Sequence, residues 1–256
     1  MIHPTAVVDP SARLDSSVEV GPYAVIGADV EIGAGTVIGP HVVLRGPTRI
    51  GRDNRIYQFC SLGEDPQDKK YAGEPSRLEI GDGNVIREYC TFNRGTAGGG
   101  GVTRIGSRNW VMAYVHVAHD CVVGDDVTMA NGTTLAGHVT VGDFVTFGAF
   151  TVVHQFCEIG MHAFSAMGTV VFKDVVPFVT VAGNTAEVHG LNAEGLRRRG
   201  FDADSVRELK RAYRVIFKQG LTVERAREEL AERAAADPWV GALSDFLGRS
   251  RRGIVR

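Results

Sequence analysis

The stretch Val20–Leu44 reads VGPYAVIGADVEIGAGTVIGPHVVL and carries an aliphatic residue at every sixth position. Glycine directly follows most of those aliphatic residues. A period of six matches neither the turn of an α-helix nor the two-residue alternation of a strand. It predicts short extended segments joined by corners, so that three hexads close one triangular coil of about 18 residues.

The same period continues far beyond this stretch. It is unbroken over Ile2–Leu62, returns at Ile80–Phe92, and runs one residue out of phase over Ile105–Val171 with a lapse at Ser165. A short repeat that stacks on its own copies is typical of a solenoid. We therefore predict a β-solenoid domain over residues 1–189.

Two stretches interrupt the period, at about residues 64–79 and 95–102. The first is polar and places Asp68 and Glu74 where aliphatic residues should stand, and the second is rich in glycine. Both stretches are therefore expected to leave the prism as loops. Loops that project from a rigid scaffold commonly carry function.

Beyond Pro177 the apolar residues adopt helical spacing, which predicts an α-helical C-terminal domain over residues 190–256. The expected helices are Asp204–Lys218, with Asp204 as N-cap, Thr222–Ala235 and Pro238–Arg249. This domain carries 15 Lys and Arg against 10 Asp and Glu, whereas the rest of the chain carries 13 against 20. A basic end on an acidic body can attract an anionic ligand or partner.

Composition narrows the class of protein. A net charge of −2 argues against a nucleic-acid binder. The sequence contains no apolar run long enough for a transmembrane helix, and its start lacks the features of a secretory signal, so we expect a cytoplasmic protein. The four cysteines share the small inward position of the hexad and are expected to fill the core, free of disulfides and metal. They are Cys60, Cys90, Cys121 and Cys157.

Residues about 18 apart should stack on successive coils. This places His119, Gly137 and Gln155 in one column. A neighbouring column holds Asp120, His138 and Phe156, and a third ends at His154. Together with His116, four of the eight histidines of the chain would meet in one patch three coils high.

This patch can support acyl transfer. His119 can act as a general base, and Asp120 can fix its tautomer. The backbone N–H of Gly137 can stabilise a developing oxyanion. A competing hypothesis is a zinc site of the carbonic anhydrase type, built from three histidines of adjacent coils. That site would leave Gly137 without a role, and we expect no metal.

Four aromatic residues occupy an outward position of the hexad: Tyr114, Phe144, Phe150 and Phe156. Exposed apolar area on a solenoid face indicates a subunit interface. We expect a homo-oligomer, most simply a homotrimer.

Six stretches in this order resemble the acyl-ACP–UDP-N-acetylglucosamine O-acyltransferases. They are Ile50–Asn54, Tyr71–Pro75, His119–Cys121, Leu135–Val139, Val153–Cys157 and Asn192–Phe201. The resemblance implies a left-handed parallel β-helix with a helical C-terminal domain, assembled as a trimer with clefts between subunits. It also implies transfer of a 3-hydroxyacyl chain from acyl carrier protein to the 3-hydroxyl of UDP-N-acetylglucosamine, the first step of lipid A biosynthesis.

The resemblance also implies roles for individual residues. His119 would be the base, Asp120 its helper and Gly137 the oxyanion donor. Sugar nucleotide and acyl chain would be bound by Asp68, Lys70, His116, His138, His154 and Gln155. The nucleotide would also meet Asn192, Glu194, Arg198 and Arg199. No cofactor is implied beyond the phosphopantetheine that carries the acyl donor on acyl carrier protein.

Met167 departs from the glycine that stands at this position in members of the family that use long chains. A methionine here would shorten the acyl pocket, so we expect a donor near ten carbons. An N-acyltransferase acting on an amino sugar stays open as an alternative, although the N-acyltransferase of the same pathway carries a further N-terminal domain. The sequence does not decide between a 3-hydroxyl and a 3-amino acceptor.

Overall fold

The structure is a computed structural model that describes all 256 residues. Residues 2–182 form a left-handed parallel β-helix in which each coil adds one strand to each of three sheets. Register follows the repeat, because Val7 pairs with Val25 and Val8 with Ile26, a step of 18 residues. The predicted solenoid is confirmed. Its hand is opposite to that of ordinary parallel crossovers.

Sheet 1 has nine strands: Val7–Val8 (β1), Val25–Ile26 (β4), Val43–Leu44 (β7), Ser61–Glu64 (β10), Thr91–Asn93 (β13), His116–Val117 (β16), Thr134–Leu135 (β19), Val152–Val153 (β22) and Val170–Val171 (β25). Sheet 2 has eight: Arg13–Leu14 (β2), Val30–Ile32 (β5), Thr48–Ile50 (β8), Arg77–Ile80 (β11), Val102–Ile105 (β14), Val122–Val123 (β17), Thr140–Val141 (β20) and Glu158–Ile159 (β23). Sheet 3 has ten: Glu19–Val20 (β3), Val37–Ile38 (β6), Arg55–Ile56 (β9), Val85–Ile86 (β12), Trp110–Val111 (β15), Thr128–Met129 (β18), Thr146–Phe147 (β21), Phe164–Ser165 (β24), Val179–Ala182 (β26) and Glu187–Leu191 (β27).

Three edges join the sheets. The first edge, where each coil turns from sheet 1 to sheet 2, includes residues 118–121, 136–139 and 154–157. The second edge, from sheet 2 to sheet 3, includes residues 124–127, 142–145 and 160–163. The third edge, from sheet 3 back to sheet 1, includes residues 130–133, 148–151 and 166–169. A residue of the repeat can therefore be assigned to an edge from its place in the 18-residue coil.

From Val20 onward the inward aliphatic residues of the repeat are buried, as are all four cysteines, and every cysteine is free. In the first coil the pattern holds less well, because Ile2 is exposed and Val8 and Leu14 are half-buried. The core of the prism continues without a break into the helices, where Leu209 and Phe246 belong to the same apolar cluster. No helix is both long and apolar enough to span a membrane.

Four helices follow the prism: Ala193–Arg198 (α1), Ala203–Lys218 (α2), Val223–Ala236 (α3) and Pro238–Arg249 (α4). The spacing pattern missed α1, which is only six residues long and has no apolar stripe. It was also wrong about the N-cap of α2. Asp202, not Asp204, accepts the hydrogen bond from the N–H of Ser205 and caps that helix.

The predicted division at residues 189 and 190 falls inside β27. This strand runs antiparallel to β26 and completes sheet 3, so the last part of the prism extends to Leu191. The two predicted excursions leave the strands over residues 65–76 and 94–101, and residues 97–99 of the second form a short 3-10 helix.

Candidate active site

The histidine patch lies on the first edge, and both loops arise from that same edge. The first loop (residues 65–76) connects β10 to β11 and the second (residues 94–101) connects β13 to β14, so each replaces a corner between sheets 1 and 2. They occupy coils below His119. The loops therefore wall one end of the patch.

His119 and Asp120 form a hydrogen-bonded pair. The Nδ1 atom of His119 lies 2.8 Å from Oδ2 of Asp120, whose side chain is fully buried. A carboxylate at this distance holds the proton on Nδ1, which leaves the lone pair of the imidazole on Nε2. Nε2 of His119 makes no hydrogen bond within the chain. The pair thus has the arrangement that a general base requires.

Asp120 is held from several sides. Its Oδ1 accepts the backbone N–H of Thr96 at 2.8 Å, and its Oδ2 accepts the Thr96 hydroxyl at 2.6 Å. Its own N–H donates to the hydroxyl of Thr103. The backbone of Asp120 is left-handed, with φ 60°, as is that of His138 one coil above. Carboxylate and corner are therefore both fixed before any substrate arrives.

The predicted columns are present. The N–H of His138 donates to the carbonyl of His119, and that of Phe156 donates to the carbonyl of Gly137. The rings of His138 and Phe156 stack with centroids 4.3 Å apart. Gly137 lies directly against the His119 imidazole, because a Cβ at this position would come within 2.6 Å of Cε1. Its N–H donates no hydrogen bond within the chain.

The other three histidines of the patch lie around the His119–Asp120 pair. His116 faces outward on sheet 1 and its Nδ1 lies 2.8 Å from the hydroxyl of Thr91. Burial lowers the pKa of His116. Burial likewise lowers the pKa of His138, against the opposing effect of the Asp120 charge. His154 and Gln155 lie one coil above Gly137 and His138, and His154 is half-buried whereas Gln155 is exposed.

The first loop brings Asp68 close enough to His138 for its charge to act on that imidazole. Asp68 also accepts the N–H of Lys70, whose side chain is exposed. Both predicted loop residues therefore belong to the neighbourhood of the first edge.

The nucleotide residues implied by the resemblance lie elsewhere. The guanidinium of Arg199 sits 4.8 Å above the ring of Phe144, on the second edge. Asn192 caps α1 and donates to the carbonyl of His162, on the same edge. Glu194 pairs with Arg197 and Arg198, and these hydrogen bonds lower its pKa to about 2. The chain does not bring this group to His119.

Met167 lies on the third edge and is 76% exposed. Three of the predicted outward aromatic residues are also exposed, namely Tyr114, Phe150 and Phe156. Phe144 is the exception, because His162 and Arg199 cover its ring. The outward position of the hexad did not predict this, since the covering residue Arg199 lies outside the repeat, directly after α1.

Three side chains of the patch are close enough together to bind one metal ion. His119, Asp120 and His138 place one ligand atom each within 4.8 Å of one another. This set differs from the three histidines of the zinc hypothesis, because a carboxylate replaces one imidazole. The carboxylate already accepts hydrogen bonds from Thr96 and His119, which a metal would have to displace in part.

Comparison with known proteins identifies the family. Residues 174–255 match the second domain of UDP N-acetylglucosamine O-acyltransferase, and residues 11–46 and 103–137 match the bacterial transferase hexapeptide family of six repeats. An acyl-[acyl-carrier-protein]–UDP-N-acetylglucosamine O-acyltransferase from Thiobacillus denitrificans is 59% identical over 255 residues, covering 100% of this chain and 99% of the relative. The chain belongs to this family of O-acyltransferases.

Other members of the family are similar to this chain over its full length. The O-acyltransferase of Halorhodospira halophila is 58% identical over the same shares of both chains. The crystal structure of the UDP-N-acetylglucosamine O-acyltransferase from Moraxella catarrhalis superposes with a TM-score of 0.98 at 46% identity, covering 100% of this chain and 99% of that one. The chain is thus an enzyme of the O-acyltransferase type.

Sequence reasoning missed Thr96 and Thr103, the two hydroxyls that hold Asp120. Thr96 lies in a loop outside the repeat, where stacking arithmetic gives no position. Thr103 precedes Asp120 by 17 residues, which is nearly one coil, so its place below the corner could have been read from the register.

Proposed function

We propose that this chain transfers a 3-hydroxyacyl chain from acyl carrier protein to the 3-hydroxyl of UDP-N-acetylglucosamine, with His119 as the base. One observation carries the role of the base. The buried carboxylate of Asp120 holds Nδ1 of His119, and Nε2 is left without a partner beside Gly137. The printed names of the relatives supply the donor and the acceptor.

The proposed chemistry is a single displacement through a tetrahedral intermediate. Nε2 of His119 removes the proton of the sugar hydroxyl, whose oxygen attacks the thioester carbonyl. The oxyanion that forms accepts the N–H of Gly137. The C–S bond then breaks, and the imidazolium returns its proton to the leaving thiolate. Asp120 stabilises the imidazolium through Nδ1 and keeps its own charge.

We further propose that the working unit is a homotrimer. The residues assigned to one active site lie on three different edges of the prism: His119 on the first, Arg199 on the second and Met167 on the third. Because one rigid prism cannot turn these edges toward one cleft, a neighbouring copy must supply some of them. The exposed rings of Tyr114 and Phe150, on the third edge, support an apolar subunit contact.

The acyl chain is proposed to be short, near ten carbons. Met167 presents an exposed, flexible thioether where a glycine would leave space. The basic C-terminal domain, with 15 Lys and Arg against 10 Asp and Glu, suits docking of acidic acyl carrier protein.

The test is an assay of acylated nucleotide with UDP-N-acetylglucosamine and a panel of 3-hydroxyacyl-ACPs. His119→Ala should lower kcat by about 10²–10⁴-fold. Absence of product from the wild-type chain would overturn the proposal, and full activity of His119→Ala would overturn the role of the base. Dialysis against a chelator separates the zinc hypothesis, which requires loss of activity and its recovery on adding zinc. A 3-amino analogue of the acceptor, assayed in parallel, separates N-acylation from O-acylation.

A further inference from the structure

The second loop is built around the Asp120 carboxylate. Thr96 is buried and donates both its backbone N–H and its hydroxyl to the two carboxylate oxygens, at 2.8 Å and 2.6 Å. The contact joins residues 24 positions apart, from two different coils. A bidentate grip of this kind fixes the plane of a carboxylate as well as its position.

The hydroxyl of Thr96 is used in an unusual way for its place in the chain. Thr96 is the N-cap of the 3-10 helix Ala97–Gly99, where a threonine hydroxyl commonly accepts an N–H of the first turn. Here the side chain makes no capping hydrogen bond and donates to Asp120 instead. Within the chain, the bond to the Asp120 carboxylate is therefore the hydrogen bond that the Thr96 hydroxyl makes.

Gly99 packs directly against the carboxylate. A Cβ at Gly99 would come within 2.0–2.4 Å of the carboxylate carbon and both its oxygens. No side chain other than hydrogen therefore fits between the loop and Asp120. Together with Thr96 this contact keeps the Asp120 side chain at 0% exposure, although His119 beside it retains 15%.

The second loop is itself anchored. Arg94 is buried and donates to the carbonyl of Gly63 at 2.5 Å, and its guanidinium also bonds Asp65 and the hydroxyl of Tyr71 in the first loop. Glu74 of the first loop accepts the N–H of Ala97 at 3.4 Å. The two loops therefore form one connected cover, and its inner surface rests on Asp120.

We propose that Thr96 is a positioning residue for the catalytic pair, and that Gly99 is the water-excluding lid over the Asp120 carboxylate. This inference rests on the proposed role of His119 as base. Thr96 touches neither substrate nor reacting atoms. It acts through Asp120, because Oδ2 of that residue is shared between the Thr96 hydroxyl and Nδ1 of His119.

The shared oxygen gives the inference a measurable signature. While the Thr96 hydroxyl donates to Oδ2, part of the negative charge on that oxygen is neutralised. Removing the hydroxyl leaves more charge facing His119, which favours the imidazolium. The acidic limb of the kcat/KM profile should therefore move to higher pH, while kcat falls because the imidazole is less well oriented.

The experiment compares Thr96→Val with Thr96→Ser in the full-length protein. Thr96→Val keeps the shape and the N–H but removes the hydroxyl, and we expect kcat to fall about tenfold or more. Its acidic limb should rise by a measurable fraction of a pH unit. Thr96→Ser should recover most of the rate and return the limb toward the wild-type position.

A second pair of variants tests the lid without removing a hydrogen-bonding group. Gly99→Ala places a methyl against the carboxylate, whereas Gly98→Ala, one residue earlier, meets nothing within 4 Å. We expect Gly99→Ala to lower kcat by roughly the same factor as Thr96→Val, with KM for the nucleotide little changed, and Gly98→Ala to match the wild type. This pair keeps the test available if Thr96→Val does not fold.

Three results would overturn the inference. Thr96→Val could retain the wild-type rate and profile, it could lose rate with an unmoved acidic limb, or Gly99→Ala could behave as Gly98→Ala does. His119→Ala is assayed alongside. If it retains full activity, the proposed base itself fails. If it is inactive while the Thr96 and Gly99 variants are normal, only the positioning role fails.

Discussion

Gly137→Ala offers a sharp test of how His119 is held. A Cβ at residue 137 would lie 2.6 Å from Cε1 and 2.8 Å from Nε2 of the His119 ring, whereas ordinary contact begins at 3.4 Å. The ring must retreat by about 0.8 Å or more, as the difference between those distances shows. Since Nδ1 is anchored to Asp120 at 2.8 Å, the retreat either breaks that bond or turns Nε2 away from the substrate.

The expected loss can be estimated from this displacement. A misplacement of about 1 Å commonly costs on the order of 10²-fold in rate. That factor corresponds to about 2.7 kcal/mol in activation free energy. The backbone itself accepts alanine, because Gly137 is not left-handed, so any loss of stability comes from the displaced ring and its bond to Asp120. The oxyanion donor is also retained, since alanine keeps the N–H.

The assay is steady-state kcat with a 3-hydroxyacyl-ACP and UDP-N-acetylglucosamine, together with a thermal unfolding midpoint. Gly98→Ala, where a Cβ meets nothing within 4 Å, is the matched control. In a His119→Ala background the ring is gone, so adding Gly137→Ala should lower the rate no further. A wild-type rate for Gly137→Ala alone would refute the reasoning, and full additivity in the double variant would show that the effect does not pass through His119.

Two further predictions concern specificity and pH. Met167→Gly should shift the preferred donor toward longer chains. Burial of one methylene is worth about 0.8 kcal/mol, so kcat/KM should rise roughly fourfold for each added methylene that finds room. An unchanged donor profile would contradict the chain-length proposal. Burial lowers the pKa of His162 from 6.5 to about 4. Between those two values the unfolded chain binds a proton at this histidine and the folded chain does not, so the free energy of unfolding falls as the pH falls. The stabilisation by neutral His162 is therefore complete above about pH 6.5 and is lost as the pH falls toward 4. His162→Phe can keep the stacking on Phe144 and Phe178. It should make the thermal unfolding midpoint depend less on pH over that range. An unchanged pH dependence of the midpoint would show that His162 does not cause it.

The repeat made much of the molecule predictable. The inward position of the hexad gave the buried aliphatic residues and the four buried cysteines. Addition of 18 to a residue number gave the stacking of Gly137 on His119 and of His138 on Asp120. This works because a continuous ladder of backbone hydrogen bonds fixes the register of each coil on the next, so position in sequence translates directly into position in space.

The same arithmetic fails where the ladder is absent. Residues 65–76 and 94–101 have no repeat, and their conformation is set by particular contacts such as those of Arg94 with Gly63 and Tyr71. The role of Thr96 could not be predicted for this reason. At the other end of the prism, α1 was missed because six residues carry too little periodicity to be recognised.

The sequence thus determined the coil, its core and the column of His119, Gly137 and Gln155. These follow from a local pattern that repeats in every coil with the same backbone hydrogen bonds to the next coil. The tertiary structure decided which groups complete the site. It placed Thr96 and Gly99 on the Asp120 carboxylate. The physical reason is that loop contacts depend on the shape and polarity of side chains from distant coils, and no periodicity encodes those.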